Sequence, residues 1–371
     1  MVAAWEWQER RRRWCAQGMA VPVHHLTTGA TSRRWRLPPW RGAQVAVPPD
    51  RPSVIAHRGA CGYRPEHTLA AYDLALALGA DALEVDVVPT KDGVLVCRHE
   101  RDLAVSTDVA DRPELASRRR RRGGVSSWFV DDLTLAEVRQ LRARETRPRL
   151  RVDNTRYDDW FSVPTLAEVL DLVEVHSQTR AELVGLYVET KQPRAFARRG
   201  LPLEPLVTAE LAQRHLDRPN GPVVVQSFDA AHLRTLSSTT ALPLVQLVDA
   251  VPASAAMLTP AGLREISTYA GGVGLRKDLV LPRDATGGLA SGSVGAELVS
   301  SAHSAALGVS VWTLRDENAY LPVDLRTGPA PAAKGEAHVE VLLAMQAGVD
   351  AVITDHVDTA LEALAAASVA G

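Results

Sequence analysis

Cysteine is scarce in this chain. Cys15, Cys61 and Cys97 are too few and odd in number to staple a fold, so free thiols are expected and a disulfide framework is not. Long apolar runs are missing as well. No stretch approaches the roughly eighteen consecutive apolar residues of a spanning helix, and no apolar signal core followed by a small-residue cleavage site opens the chain. No transmembrane segment and no classical export of the chain as written are expected, which points to a cytoplasmic location. Phenylalanine and tyrosine are sparse, at four and six residues, so a ring cage for a quaternary ammonium has little to draw on.

What is present is ordinary for a globular enzyme: 371 residues, 46% hydrophobic and 23% charged, enough for a large core. The net charge of −2 hides an asymmetry. Residues 1–51 hold nine arginines against Glu6, Glu9 and Asp50, a local +6 that leaves −8 for the remainder. Trp5, Trp7, Trp14, Trp35 and Trp40 fall in the same segment, and Arg10–Arg13 form a basic run without an apolar helical face. A weakly ordered extension, or a start placed upstream of Met19, is expected here in preference to a membrane or nucleic-acid patch. The acidic remainder argues against nucleic acid as a partner.

From Ser53 onward, short β-branched runs alternate with Ala- and Leu-rich helical stretches, the pattern of parallel strands joined by helical crossovers. Eight strands are predicted: Ser53–His57, Ala82–Val87, Gly185–Glu189, Val223–Phe228, Leu244–Val248, Gly272–Leu275, Val309–Leu314 and Ala351–Thr354. Eight βα units over residues 52–371 fit an α/β fold of the (β/α)8 TIM-barrel type. The stretch from Pro89 to Val184 is too long for one crossover, so a small inserted cap subdomain, about residues 100–165, is expected between strands two and three. Within it, helices are predicted over Thr134–Ala143 and Thr165–Val175, each opened by a Thr-x-x-Glu capping box. Arg118–Arg122 reads as a solvated loop.

The chemistry-bearing residues cluster at predicted strand ends. Glu84 and Asp86 are two apart on a strand, so both carboxylates face one side while Leu83, Val85 and Val87 face the other. Such a pair is commonly served by solvent or arginine. Glu189 and Lys191 repeat the spacing at the third strand's end. Three oxygen ligands would favour a hard divalent cation, Ca²⁺ or Mg²⁺, over zinc. His57 and His99 are candidates for an acid–base pair, since imidazole titrates near neutrality. Arg58 offers a fork suited to phosphate, or else a rim salt bridge. A single histidine or tryptophan beside a strand is usually a packing group, and the other histidines show no ligand spacing.

The order of these residues is more specific than any one of them. His57-Arg58-Gly59 is followed by Pro65-Glu66-His67-Thr68, then Glu84-Val85-Asp86, Thr90-Lys91-Asp92-Gly93 and His99, with Glu189-Thr190-Lys191, Val311-Trp312-Thr313 and Ile353-Thr354-Asp355 downstream. This resembles the glycerophosphodiester phosphodiesterase family from about Val54 to Asp358, in the branch typified by bacterial periplasmic enzymes. Two departures stand out: His67 where that pattern has Asn, and Glu100 where it has Asp. The resemblance implies metal-dependent hydrolysis of a small-molecule glycerophosphodiester to sn-glycerol 3-phosphate and an alcohol. It implies His57, His99 and Arg58 as catalytic residues and Lys191, Glu66 and Trp312 on the substrate, with Glu66 either direct or a partner of Arg58. Glu84, Asp86 and Glu189 would hold one divalent cation, Ca²⁺ ahead of Mg²⁺. A secreted or periplasmic location is the alternative it raises. A phospholipase-D/C-like enzyme or a catalytically silent phosphate-binding barrel are the rival readings. Head groups such as choline, ethanolamine and glycerol are expected to be tolerated alike, the cap aromatics Trp128, Phe129, Trp160 and Phe161 being the only candidates for a cage. The sequence does not set the oligomeric state.

Overall fold

A computed structural model describes residues 51–180, 182–219, 221–290 and 294–370. The basic extension, apart from Arg51, lies outside the described residues. The strands are Ser53–His57 (β1), Ala82–Pro89 (β2), Leu95–Cys97 (β3), Arg120–Arg122 (β4), Val125–Ser127 (β5), Gly185–Thr190 (β6), Val223–Ser227 (β7), Leu244–Val248 (β8), Gly272–Arg276 (β9), Gly308–Leu314 (β10) and Ala351–Thr354 (β11). Parallel pairing runs β1-β11-β10-β9-β8-β7-β6-β2, and β2 pairs back onto β1, which closes an eight-stranded barrel. The predicted barrel is therefore present, with strand bounds within one or two residues of the expectation. Among the described residues, no helix is long and apolar enough to cross a membrane.

The barrel is a packed core, and its register decides what sits above that core. Ile55, Ala82, Tyr187, Val224 and Ile353, all buried, belong to one interior cluster. Two residues further along the same strands, facing the same side by the period of two, come His57, Glu84, Glu189, Gln226 and Asp355. Parallel pairing sets His57 beside Glu84, Asp86 beside Glu189 and Glu189 beside Gln226. An apolar layer is thus capped at the C-terminal ends by a polar one, where barrel enzymes carry their chemistry.

Residues 90–184 fill the long gap between β2 and β6. β3 pairs antiparallel with β2, Val87 opposite Cys97. Both Thr-x-x-Glu boxes form: the Thr134 and Thr165 N–H groups donate to Glu137 and Glu168, at 2.8 and 2.9 Å. The second box opens a helix running from Leu166 to Arg180. The first opens only the single turn Leu135–Val138, not the helix to Ala143 that was expected. The reason is competition for backbone donors: the Arg142 N–H goes to Asp108 Oδ1 at 2.8 Å and the Ala143 N–H to the Phe161 carbonyl at 2.7 Å. The predicted arginine loop is also corrected. Arg120–Arg122 is a hairpin strand paired with Val125–Ser127 and turned by Gly123-Gly124, both at positive φ, a two-residue signal of the favoured hairpin turn.

The exit from β1 is backbone-critical. Arg58 and Gly59 take φ of 57° and 85°, and a Cβ on Gly59 would lie 2.6 Å from the Ala71 backbone. Gly59→Ala should therefore destabilise the protein by at least about 1–3 kcal/mol, read as a lowered thermal midpoint. A midpoint equal to that of the parent chain would show that the turn is not under this constraint.

Candidate active site

The turn after β1 aims Arg58 back across the strand ends. Its N–H is shared between the Glu84 carbonyl at 3.1 Å and the Glu84 carboxylate at 3.0 Å. Its guanidinium donates to Glu66 Oε1 at 3.0 Å and lies 3.2 Å from Asp86 Oδ2, unaligned for a hydrogen bond. The Arg58 guanidinium is thus partnered by Glu66 and Asp86, and the Glu84 carboxylate takes the Arg58 backbone N–H instead. Glu66 also accepts from Thr146 Oγ1 and from Arg147, at 3.1 and 3.3 Å.

Glu84, Asp86 and Glu189 are buried and converge, one oxygen of each lying within 4.8 Å of the others. Lys191 Nζ donates to Glu189 Oε1 at 2.5 Å and stands 3.6 Å from Asp86 Oδ1, an oxygen that has no hydrogen-bond partner. Burial, then the neighbouring carboxylates Asp86 and Glu189, push Glu84 well above the usual carboxylate range. Burial lifts Glu189 to about 7, with Lys191 working against the shift. Burial opposes ionisation of Asp86 too, yet Lys191 and Arg58 outweigh it and hold that group well below its ordinary value. His67 adds a further link, its Nε2 at 2.9 Å from Asp86 Oδ2 and its Nδ1 at 2.6 Å from the Tyr72 hydroxyl. Three carboxylates against two cations, with one buried oxygen unclaimed, fit a divalent cation.

His57 lies beside this cluster. Its Nδ1 is 2.6 Å from Asp355 Oδ1, and Asp355 is fully buried. Burial, then the charge of Arg58, lowers His57 to about 3 despite the Asp355 carboxylate. The ring is therefore neutral near pH 7, with Nδ1–H donating to Asp355 and Nε2 free to accept. His99 follows β3 and sits with Nδ1 2.6 Å from Glu100 Oε1, its side chain 30% exposed.

Of the residues proposed from sequence, His57, Arg58, Glu84, His99, Glu189, Lys191 and Trp312 line one cavity of about 770 Å³. Asp86 and Glu66 stand behind that wall. Trp312 donates through its indole N–H to the Gly274 carbonyl at 3.0 Å and meets Phe228 edge to face at 5.5 Å. The cap aromatics Trp128, Phe129, Trp160 and Phe161 do not line the cavity. Sequence reading passed over Asp355, although it ends the Ile353-Thr354-Asp355 segment two residues beyond an interior isoleucine. It also passed over Arg151 and Arg315, which both bind Asp355 Oδ2, and Arg151 further holds Glu317 at 2.5 Å. Arg151 comes from the 90–184 segment and carried no local signal.

A closed parallel barrel with a carboxylate trio, two histidines, Arg58 and Lys191 at its C-terminal mouth has the make-up of a barrel enzyme. The sequence profile of the glycerophosphoryl diester phosphodiesterase family matches residues 57–359. The chain belongs to this family, and with it to the phosphoric diester hydrolases. A glycerophosphodiester phosphodiesterase of Arabidopsis thaliana is 30% identical over 303 residues, covering 75% of this chain and 78% of the plant protein. One from Treponema pallidum is 29% identical over 346 residues, covering 84% and 91%. In fold, an Oleispira antarctica phosphodiesterase, solved in complex with the product sn-glycerol-3-phosphate, superposes with a TM-score of 0.58 at 20% identity, over 85% of this chain and 97% of that one.

Asp355→Asn should lower turnover by about 10²-fold or more, because the amide no longer fixes the His57 ring with Nδ1 as donor. It also leaves Arg151 and Arg315 sharing a neutral partner, so a lower thermal midpoint is expected alongside. Turnover within a few-fold of the parent value, in soluble folded protein, would remove Asp355 from the site.

Proposed function

We propose that the chain hydrolyses glycerophosphodiesters to sn-glycerol 3-phosphate and an alcohol, with His57 and His99 as the acid–base pair and a divalent cation held by Glu84, Asp86 and Glu189. The observation that carries this reading is convergence: Glu84, Glu189, two histidines, Arg58 and Lys191 line one cavity, with Asp86 within 4.8 Å of the two glutamates. A bound cation would neutralise the carboxylates and polarise the phosphoryl oxygens. Arg58 and Lys191 orient the phosphate and stabilise charge developing on it. One imidazole takes the proton of the attacking hydroxyl and the other protonates the departing alkoxide. The oxygen-only donor set favours Ca²⁺ or Mg²⁺. Trp312 offers an apolar wall to the glycerol carbons, and Glu66 acts by holding Arg58. Residues 52–371 are proposed to form the catalytic unit, the cap near 100–165 supplying Arg147 and Arg151.

Release of glycerol 3-phosphate from glycerophosphoglycerol, with and without a chelator, tests the reading directly. Activity should vanish on chelation and return with Ca²⁺ or Mg²⁺, and full activity after verified metal removal would exclude the cation. His57→Ala and His99→Ala should each lower turnover by about 10²–10⁴-fold with the fold kept.

The buried carboxylates also set a pH dependence of metal binding. Burial and the neighbouring carboxylates push Glu84 up, and burial lifts Glu189 to about 7, so protons compete with a cation for this cluster. Affinity should therefore rise with pH through about 7, with proton release seen by calorimetry in buffers of different ionisation enthalpy. Binding with no proton release at pH 6 would contradict the assigned ligands.

A further inference from the structure

The cavity has two chemically different walls. The strand ends of β1, β2 and β6 carry the carboxylate trio with Arg58 and Lys191. Opposite them, the exits of β9 and β10 contribute Arg276, Arg283 and Arg315, with Asp278 the one acid among the described residues on that side. Each of these guanidiniums is braced and kept in place. Arg315 donates its Nε to Asp355 Oδ2 at 2.8 Å and stacks over the Tyr320 ring, 4.7 Å from its centroid. Arg283 donates to the Tyr320 carbonyl at 2.6 Å and shares Asp278 with Arg276, which also meets Asp249 at 3.1 Å. Asp249 and Asp355 brace the arginines without themselves lining the cavity. The arrangement presents cations inward and keeps most of their counter-ions behind. Lys277 lies on the same side but is spent: Glu340 and the Tyr320 carbonyl take its donors at 2.7–2.8 Å.

We infer that this wall is a subsite for a second phosphate, carried by the alcohol that leaves. The inference rests on the phosphodiesterase reading above and adds the class of head group to it. Arginine forks match phosphate oxygens two at a time, and several fixed forks facing one cavity are what such a group requires. A quaternary ammonium has the opposite fit. The Tyr320 face is covered by Arg315, Lys191 lies 5.7 Å from the Phe228 centroid, Trp312 is the wall assigned above to the glycerol carbons, and the cap aromatics are elsewhere. This replaces the expectation of even tolerance across head groups. In the net reaction, the phosphorus–oxygen bond to the head-group alcohol is exchanged for one to a water oxygen, the proton that this water gives up passing to one histidine while the departing alkoxide takes a proton from the other.

The test compares three substrates with the full chain. They are bis(glycerophospho)glycerol, whose leaving alcohol carries a phosphodiester, glycerophosphoglycerol, which has the same alcohol without it, and glycerophosphocholine. The expected order of kcat/KM is the order given, with the first exceeding the second by about tenfold or more at low salt. That ratio should shrink as salt rises. Arg276→Ala and Arg283→Ala should each bring it toward one. Arg276 is exposed and its loss spares the backbone contact that Arg283 makes, so at least one variant keeps the fold. A ratio near one in the parent chain, or a ratio untouched by both variants, overturns the subsite while leaving the phosphodiesterase reading intact. Hydrolysis of none of the three overturns both.

Discussion

Burying three carboxylates within one another's reach is costly unless cations answer them, and much of the barrel mouth is arranged around that cost. Glu84 and Asp86 share a face of β2 because they are two apart, and Glu189 joins them because β6 pairs with β2 in register. Arg58 reaches them only because the chain leaves β1 through two left-handed residues, a conformation that Gly59 tolerates and a larger residue there would not. Lys191 comes from the same strand end as Glu189. His67 supports Asp86 from the helix entry. These compensations still leave one buried oxygen of Asp86 unpartnered and Glu84 held toward its neutral form. The remaining cost can be met by protons on Glu84 and Glu189 or by a further positive charge, and the three carboxylates lie close enough together to hold one.

The second organising interaction joins the barrel to the segment inserted after β2. Arg151 links Glu317, Asp355 and the Cys61 carbonyl, and Arg147 reaches both Glu66 and the Tyr320 hydroxyl. The inserted segment is therefore tied to the loops after β1, β10 and β11 by buried charge. Through Asp355 it fixes the His57 ring, and through Glu66 it fixes Arg58. Loss of these ties would act on chemistry without removing any group that faces the phosphate.

Much of this was legible before the structure. The eight strands announced themselves by β-branched runs, and the i,i+2 acidic pair and the two histidines by their order along the chain. What stayed hidden was long-range. Asp355 and Arg151 are 204 residues apart, and no local pattern shows that one will bind the other. The helix expected to reach Ala143 does not do so because Asp108 and the Phe161 carbonyl claim the Arg142 and Ala143 donors, partners that only tertiary packing supplies. The glycine pair at 123–124 is a local hairpin signal, and it outweighs the mutual repulsion of the arginines before it. The departure at His67 reads in the structure as a bridge from Asp86 to Tyr72, a role that its sequence position alone did not convey.

The division of the mouth into two walls also reconciles the chain's charge with its substrate. Residues beyond the basic extension sum to about −8, a balance that on average repels a phosphodiester. Charge at the cavity is another matter. Arg58, Lys191, Arg276, Arg283 and Arg315 all face it, and in a recess with low-dielectric walls their field acts on a bound anion with less screening than surface charge does. Glu84, Glu189 and Asp278 share the cavity with them, while Asp249 and Asp355 lie outside its lining. Five cations are thus gathered at one recess while residues 52–371 as a whole stay acidic.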